Sequence, residues 1–214
     1  MERLETFVQE YAGDVISPPF PDATDLLVDM PVRLVSELAW IYRNMNGFYA
    51  FAGALHFYPL ANIDSIQEVR RWNAPETWKK YYADFDDAIF CFAENLFGEQ
   101  FCIVGGVVCR FDPETCEMEM LGNCLGEWCS SLLSDCEVQT GYPLVKEWLA
   151  SHGPLPVGSR LVPNVPFVCG GEFSISNLHL SPVLDSMRFR ASIFNQIRNV
   201  PDDGQIKFTV VENE

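Results

Sequence analysis

The chain has 214 residues, of which 48% are hydrophobic and 13% aromatic, so its composition excludes global disorder and supports one packed domain or two small ones. Lys and Arg number 14 against 30 Asp and Glu, and the formal net charge of −16 argues against generic nucleic-acid binding and against an anionic membrane surface. No apolar run approaches the ~20 residues that span a bilayer, and the acidic N-terminus is unlike a signal peptide. We therefore expect a cytoplasmic protein.

The first part of the chain predicts helices on either side of an aromatic, extended segment. Three prolines between positions 18 and 21 exclude regular structure there, so residues 1–29 are expected to form an N-terminal arm. The elements predicted after the arm are a helix over 31–46, an extended segment over 48–60, and a helix that begins at Asp64 and is broken at Pro75.

The middle of the chain is the region richest in predicted strands. Strands are predicted over 88–93, 100–104, 107–111 and 118–121, followed by a helix over 125–134. Gly105-Gly106 predicts a two-residue hairpin turn, which would place Cys102 opposite Cys109. We expect these cysteines to be reduced and packed in the sheet, since directly opposite strand positions strain a disulfide.

The last part of the chain predicts an extension to this domain. A helix is predicted over 142–152, then a segment spaced by prolines, a strand over 173–180, a helix from Ser181-Pro182 and a strand over 205–211. The expected division is a domain over 30–152 and a C-terminal β-α-β extension over 153–214 packed on it, with a separate C-terminal domain as the alternative.

Motifs for catalysis, metals and cofactors are missing from the sequence. The eight cysteines lack paired spacing, and no Walker motif or dinucleotide fingerprint occurs. The segment Asp84-Phe85-Asp86-Asp87 lacks the ligand series and the turn glycine of a calcium loop. We therefore expect no metal, no cofactor and no catalytic residue. An enzyme would need a cleft that gathers His56, His152 or His179 with carboxylates.

Negative charge is concentrated in the strand-rich middle. Residues 84–137 hold 12 acidic residues and one base, Arg110, which is a net charge of −11. Acidic side chains held on a folded surface produce a directed field that steers basic partners. An acidic surface that serves only to keep the chain in solution is the alternative.

One stretch, from Phe92 to Phe101 (FAENLFGEQF), resembles the signature of the SUKH superfamily of Smi/Knr-type regulators and bacterial immunity proteins. In that signature, a strand ending in Phe-Ala is followed by an acidic residue, an aromatic-glycine pair and a second strand. The order of the flanking elements agrees over about residues 30–137, with Trp72, Trp78 and Trp128 as expected fold residues. Two positions depart from the family pattern: Asn95 replaces a frequent aspartate, and Cys116 replaces a usual turn glycine.

The resemblance implies an α+β fold, in which helices flank a mostly antiparallel curved sheet. It also implies a non-catalytic immunity protein that binds and neutralises a bacterial toxin, one that acts on nucleic acid. We expect the acidic middle to occlude the basic active site of that toxin. The predicted contacts are eight acidic residues: Asp84, Asp86, Asp87, Glu94, Glu99, Glu114, Glu117 and Glu119. The alternative is an intracellular regulatory scaffold that binds other proteins and has no toxin partner.

Overall fold

A computed structural model describes residues 1–21, 23, 30–61, 64–85 and 88–200. The helices are α1 (Glu2–Tyr11), α2 (Val32–Asn44), α3 (Val69–Asn73), α4 (Leu125–Ser134), α5 (Cys136–Thr140), α6 (Tyr142–His152) and α7 (Val183–Ile197). The strands are β1 (Ala12–Val15), β2 (Phe48–Ala50), β3 (Leu55–Phe57), β4 (Phe90–Asn95), β5 (Gln100–Val104), β6 (Val107–Phe111), β7 (Met118–Gly122), β8 (Ser159–Pro163) and β9 (Leu178–Pro182). Within these described residues, no helix is long and apolar enough to cross a membrane.

The strands β1 to β7 form one antiparallel sheet in which each strand pairs with its neighbours in sequence. This confirms the predicted fold class, an α+β protein with an antiparallel sheet flanked by helices. The hairpin between β5 and β6 has the predicted register, with Cys102 opposite Cys109. Its turn residues Gly105 and Gly106 have φ values of 58° and 81°, which glycine adopts without strain.

Both faces of the sheet are covered by aromatic side chains. On one face, Trp128 of α4 packs against Phe7 of α1 and against Phe57, Phe92 and Phe101 of the sheet. These five aromatic residues are part of one buried core. Helix α4 therefore covers this face, with Trp128 packed over the central strands.

The opposite face is covered by the segment around α3. Trp72 and Trp78 are fully buried there, and Trp78 contacts Phe111 of β6. The predicted helix is shorter than expected, because Glu68 caps α3 by accepting a hydrogen bond from the Arg71 backbone N–H. Residue 74 then takes an extended conformation ahead of Pro75, which ends the helix as predicted.

The N-terminal segment differs from the sequence prediction. Residues 1–15 do not form a separate arm, since β1 pairs with β2 at the edge of the sheet. Three side chains of α1, Leu4, Phe7 and Val8, are buried in the main core. Their i, i+3, i+4 spacing is an amphipathic pattern, and burying it joins this segment to the domain.

The C-terminal segment packs on the main sheet. Val183, Met187 and Ala191 of α7 are part of the main core. The proline-spaced segment contains an unexpected strand, β8, which pairs with β9 and ends at Pro163. A two-stranded sheet accommodates that proline because both of its strands are edges. The strand and helix predicted around Ser181-Pro182 are present as β9 and α7, although β9 is shorter than expected. The strand predicted over 205–211 lies outside the described residues.

Candidate partner-binding surface

Glu94 lies at the end of β4 and is only 1% exposed. Register places it opposite His56 of β3 and Gln100 of β5. Its Oε1 atom lies 2.7 Å from Arg160 Nε and 3.5 Å from His56 Nδ1, and the Gln67 amide also donates to it. Burial alone would raise the pKa of Glu94, but the charge of Arg160 and the hydrogen bonds with His56 and Gln67 outweigh that effect and lower the pKa, so the side chain is ionised at neutral pH.

Glu114 lies in the turn after β6 and is 3% exposed. The Val168 backbone N–H donates to its Oε2 atom at 3.0 Å, and Arg190 Nε lies 3.7 Å from its Oε1 atom. Burial raises the pKa of Glu114, against the opposing effect of Arg190. Arg190 is itself buried and donates to Ser186.

These contacts correct part of the sequence prediction. Glu94 and Glu114 were expected on an outward-facing acidic surface, and for these two residues that prediction is wrong. Each lies inside the protein beside an arginine of the C-terminal segment, Arg160 or Arg190. A buried carboxylate needs such a partner, because an unpaired charge in the interior is strongly unfavourable.

Asp84 is exposed, and Arg198 Nη2 lies 2.6 Å from its Oδ2 atom. This third arginine, which follows α7, compensates the charge of Asp84 in the same way, although in contact with solvent. Asp86 and Asp87 lie outside the described residues, so their prediction as contacts stays a prediction. Of the three predicted aspartates, the structure therefore describes only Asp84, and its charge is paired.

Two of the three remaining predicted acids, Glu99 and Glu119, lie beside Arg110 at one end of the sheet. Arg110 of β6 lies 3.7 Å from Glu99 and 2.6 Å from Glu119 of β7. Glu99 is half-buried and also accepts a hydrogen bond from Asn95 at 2.6 Å. Glu117 is exposed just before β7. Two carboxylates thus share one arginine, which leaves excess negative charge at this end of the sheet.

The strand β7 is an edge of the sheet and is mostly exposed. Met118 and Met120 are 41% and 56% exposed, which is high for large apolar side chains. Register places them on the same face as Phe111 and Cys109, whereas Glu119 is paired with Arg110 on the other face. The exposed end of β7 is thus apolar on one face and acidic on the other.

The acidic face continues onto the neighbouring helices. Arg110 Nη1 donates to the Val138 backbone carbonyl of α5 at 3.4 Å. Glu137 and Val138 are exposed beside this contact. We define the β7 edge surface as these two residues together with the exposed part of β7 and its flank: Glu117, Met118, Glu119, Met120, Glu137 and Val138.

The three histidines of the chain lie on three different elements, β3, α6 and β9. His56 contacts Glu94, but both side chains are buried, and burial lowers the pKa of His56. His152 stacks on Trp148, and His179 lies in β9, on a separate element. No group of three histidine, cysteine or acidic side chains that could hold a metal ion occurs among the described residues.

Sequence reasoning found the acidic region but missed two of its features. The first is the exposure of Met118 and Met120, for which the signal was a short alternating run, Met-Glu-Met, between two turns. The second is the pairing of acids with Arg160, Arg190 and Arg198. No local pattern predicts such pairs, because the partners come from distant elements.

Comparison with known proteins bears on the fold alone. No protein-family model matches the chain, and no curated protein matches it. The structure is similar to the crystal structure of Atu4351 from Agrobacterium tumefaciens, with 14% sequence identity, a TM-score of 0.50 and coverage of 87% of each chain. At this identity the likeness supports the architecture and carries no assignment of function.

Proposed function

We propose that the chain is a non-catalytic immunity protein of the SUKH type, which binds and neutralises a basic, nucleic-acid-active toxin through the β7 edge surface. The observation that carries the proposal is the excess of exposed acid around Arg110. This arginine is already paired with Glu99 and Glu119, and neither Glu117 nor Glu137, both exposed, forms an ion pair with a described residue. Such a surface complements the cationic groove that a nuclease presents to phosphate.

The mechanism is occlusion of that groove. Exposed acids speed the encounter with a basic partner and exclude partners of like charge, whereas the apolar side chains of Met118, Met120 and Val138 supply contact area. Glu94 and Glu114 contribute indirectly, because they fix the C-terminal segment to the sheet.

The proposal is tested by growth protection. The chain would be co-expressed with each basic toxin domain encoded beside its gene, and growth would be compared with that of cells producing the toxin alone. We expect one such toxin to be neutralised and to bind the purified chain. Absence of both protection and binding across all neighbouring toxins would contradict the proposal. Binding of a basic protein without protection would favour the regulatory scaffold.

A charge variant with a matched control locates the surface. Glu117→Gln/Glu119→Gln removes two negative charges from the β7 edge surface, and Glu147→Gln/Glu172→Gln removes two exposed charges elsewhere. We expect the first variant to bind the toxin about fivefold more weakly at low salt, because exposed ion pairs contribute about 0.5 kcal/mol each. The control should bind like the wild type, and equal losses in the two variants would exclude a localised acidic site.

A further inference from the structure

Along its outer side, the backbone of β7 has hydrogen-bonding groups that no described strand uses. The Asp112 backbone N–H donates to the Glu117 carbonyl at 3.0 Å, so the carbonyl of Glu117 points towards the β6 side. Because hydrogen-bonded and non-hydrogen-bonded pairs alternate in an antiparallel ladder, Glu119 is directed towards β6. The N–H and C=O groups of Met118 and Met120 therefore point away from the sheet. No other described strand pairs with this side of β7.

We propose that the β7 edge surface binds its partner by strand addition, in which an extended, basic segment of the partner pairs with β7 as an additional strand. This inference rests on the proposed function, since it specifies how that same surface binds. An exposed strand edge is a template for such pairing, in which main-chain hydrogen bonds give affinity and alternate side chains give specificity.

The side chains on the two faces of β7 define the chemistry of the added strand. On the acidic face, Glu119 and its neighbours favour Lys or Arg. On the other face, Met118 lines a cavity of about 270 Å³ whose other lining residues are apolar, such as Val104 and Phe194, except for Asp84. A segment that alternates basic and apolar residues satisfies both faces, because successive side chains of a strand point to opposite sides.

A second copy of the chain fits this edge poorly. Pairing of two β7 strands would bring Glu117 and Glu119 of one copy against the same acids of the other. Like charges that face each other across a strand pair are destabilising. The charge of the edge thus favours a basic partner over self-association.

The probe for this mode is the peptide acetyl-Lys-Val-Lys-Val-Lys-Val-amide, compared with its Glu-Val counterpart, on the full chain. Amide hydrogen exchange would be followed by NMR. We expect the basic peptide to slow the exchange of the Met118 and Met120 amides by about tenfold or more, and the acidic peptide to have no effect. Protection of these amides before any peptide is added would mean that the edge is already covered, and would overturn the proposal.

A proline variant isolates the backbone contribution. Met120→Pro removes one outward N–H that β6 does not use, whereas Met120→Thr loses the same side chain and keeps the N–H. We expect the proline variant to bind the basic peptide about fivefold more weakly than the threonine variant, as loss of one hydrogen bond predicts. The exchange measurement on the wild-type chain decides the question if the proline variant does not fold.

The outcomes separate this inference from the proposed function. If Glu117→Gln/Glu119→Gln weakens binding but Met120→Pro binds as well as Met120→Thr, the surface binds through side chains and strand addition is wrong. If neither change affects binding of the toxin, the proposed function fails as well. A concentration-dependent dimer that Met120→Pro abolishes would identify a second copy as the occupant and overturn the proposal.

Discussion

The buried pair of Glu94 and Arg160 gives the most quantitative prediction for stability. In Glu94→Gln the volume is kept and the charge is lost. The glutamine oxygen can still accept from Arg160, whose side chain is 3% exposed, but the negative charge that faces this buried guanidinium is gone. The other acceptor of Arg160 among the described residues, the Ser159 carbonyl at 3.3 Å, is neutral and does not replace that charge. Removing one member of a buried ion pair costs about 3–5 kcal/mol, because the remaining charge is left uncompensated.

The same substitution at an exposed pair provides the control. Glu119 also contacts an arginine at short distance, but its side chain is 51% exposed, and Arg110 keeps Glu99 nearby. Glu119→Gln should therefore cost less than about 1 kcal/mol. The two variants carry the same chemical change, so the difference between their losses in free energy of unfolding measures the effect of burial.

The assay is equilibrium unfolding in urea, followed by the fluorescence of the buried tryptophans. A double-mutant cycle with Arg160→Met separates the pair from other effects of each substitution. The two changes should be non-additive by about 1–3 kcal/mol, since each removes the same interaction. The reasoning would be refuted if Glu94→Gln cost no more than Glu119→Gln, or if the two substitutions at the buried pair were additive.

Three further predictions concern pH and backbone conformation. The pKa of Glu94 is lowered on folding, so the stabilisation from its charge is lost as pH falls. In urea titrations, the difference in free energy of unfolding between wild type and Glu94→Gln should be constant near neutral pH and should shrink below pH 4.5, the ordinary pKa of this group. In thermal unfolding, Gly141→Ala should lower stability by about 1–3 kcal/mol more than Gly158→Ala. Both glycines have positive φ, but only at Gly141 would a Cβ lie 2.8 Å from Phe97. Equal losses of stability would contradict this reasoning. Because Cys116 has a φ of 60°, the Cys116→Gly variant should have a free energy of unfolding about 1 kcal/mol higher than that of Cys116→Ala. An alanine variant of equal or greater stability would show that the turn is not strained.

Local sequence signals predicted most of the middle of the fold. The bounds of β5, β6, α4 and α6 agree with the predictions, because their turn and cap residues lie within a few positions of each element. The tight turn from Asp112 to Glu117 was predicted in the same way, and Cys116 has a positive φ within it. Elements specified by their own residues were therefore accessible without the structure.

Features that depend on distant contacts were not accessible. The extended segment after α2 is divided into β2 and β3 by a turn in which Phe51 and Ala52 adopt positive φ, a conformation that sequence does not favour. Glu94 and Glu114 are buried beside arginines of β8 and α7. A charge count by segment places those arginines in a different segment, so it misses the pairing. The formal charge of residues 84–137 thus overstated the charge that they expose.

The division between structural and exposed acids also changes which residues matter for binding. Arg160 and Arg190 neutralise Glu94 and Glu114 inside the protein, so substitutions at these four positions should act on stability. The exposed acids of the β7 edge surface are few: Glu117, Glu119 and Glu137. The proposed interface is therefore small and localised, in place of a broad acidic face.

The most direct test of the account is the salt dependence of association with the toxin identified by growth protection. For the wild-type chain, the association rate should fall steeply as salt is raised, because exposed acids steer the encounter. Glu117→Gln/Glu119→Gln should show a slower association and a flatter salt dependence, whereas Glu147→Gln/Glu172→Gln should follow the wild type. Identical salt dependence for all three proteins would contradict the claim that the β7 edge surface binds a basic partner.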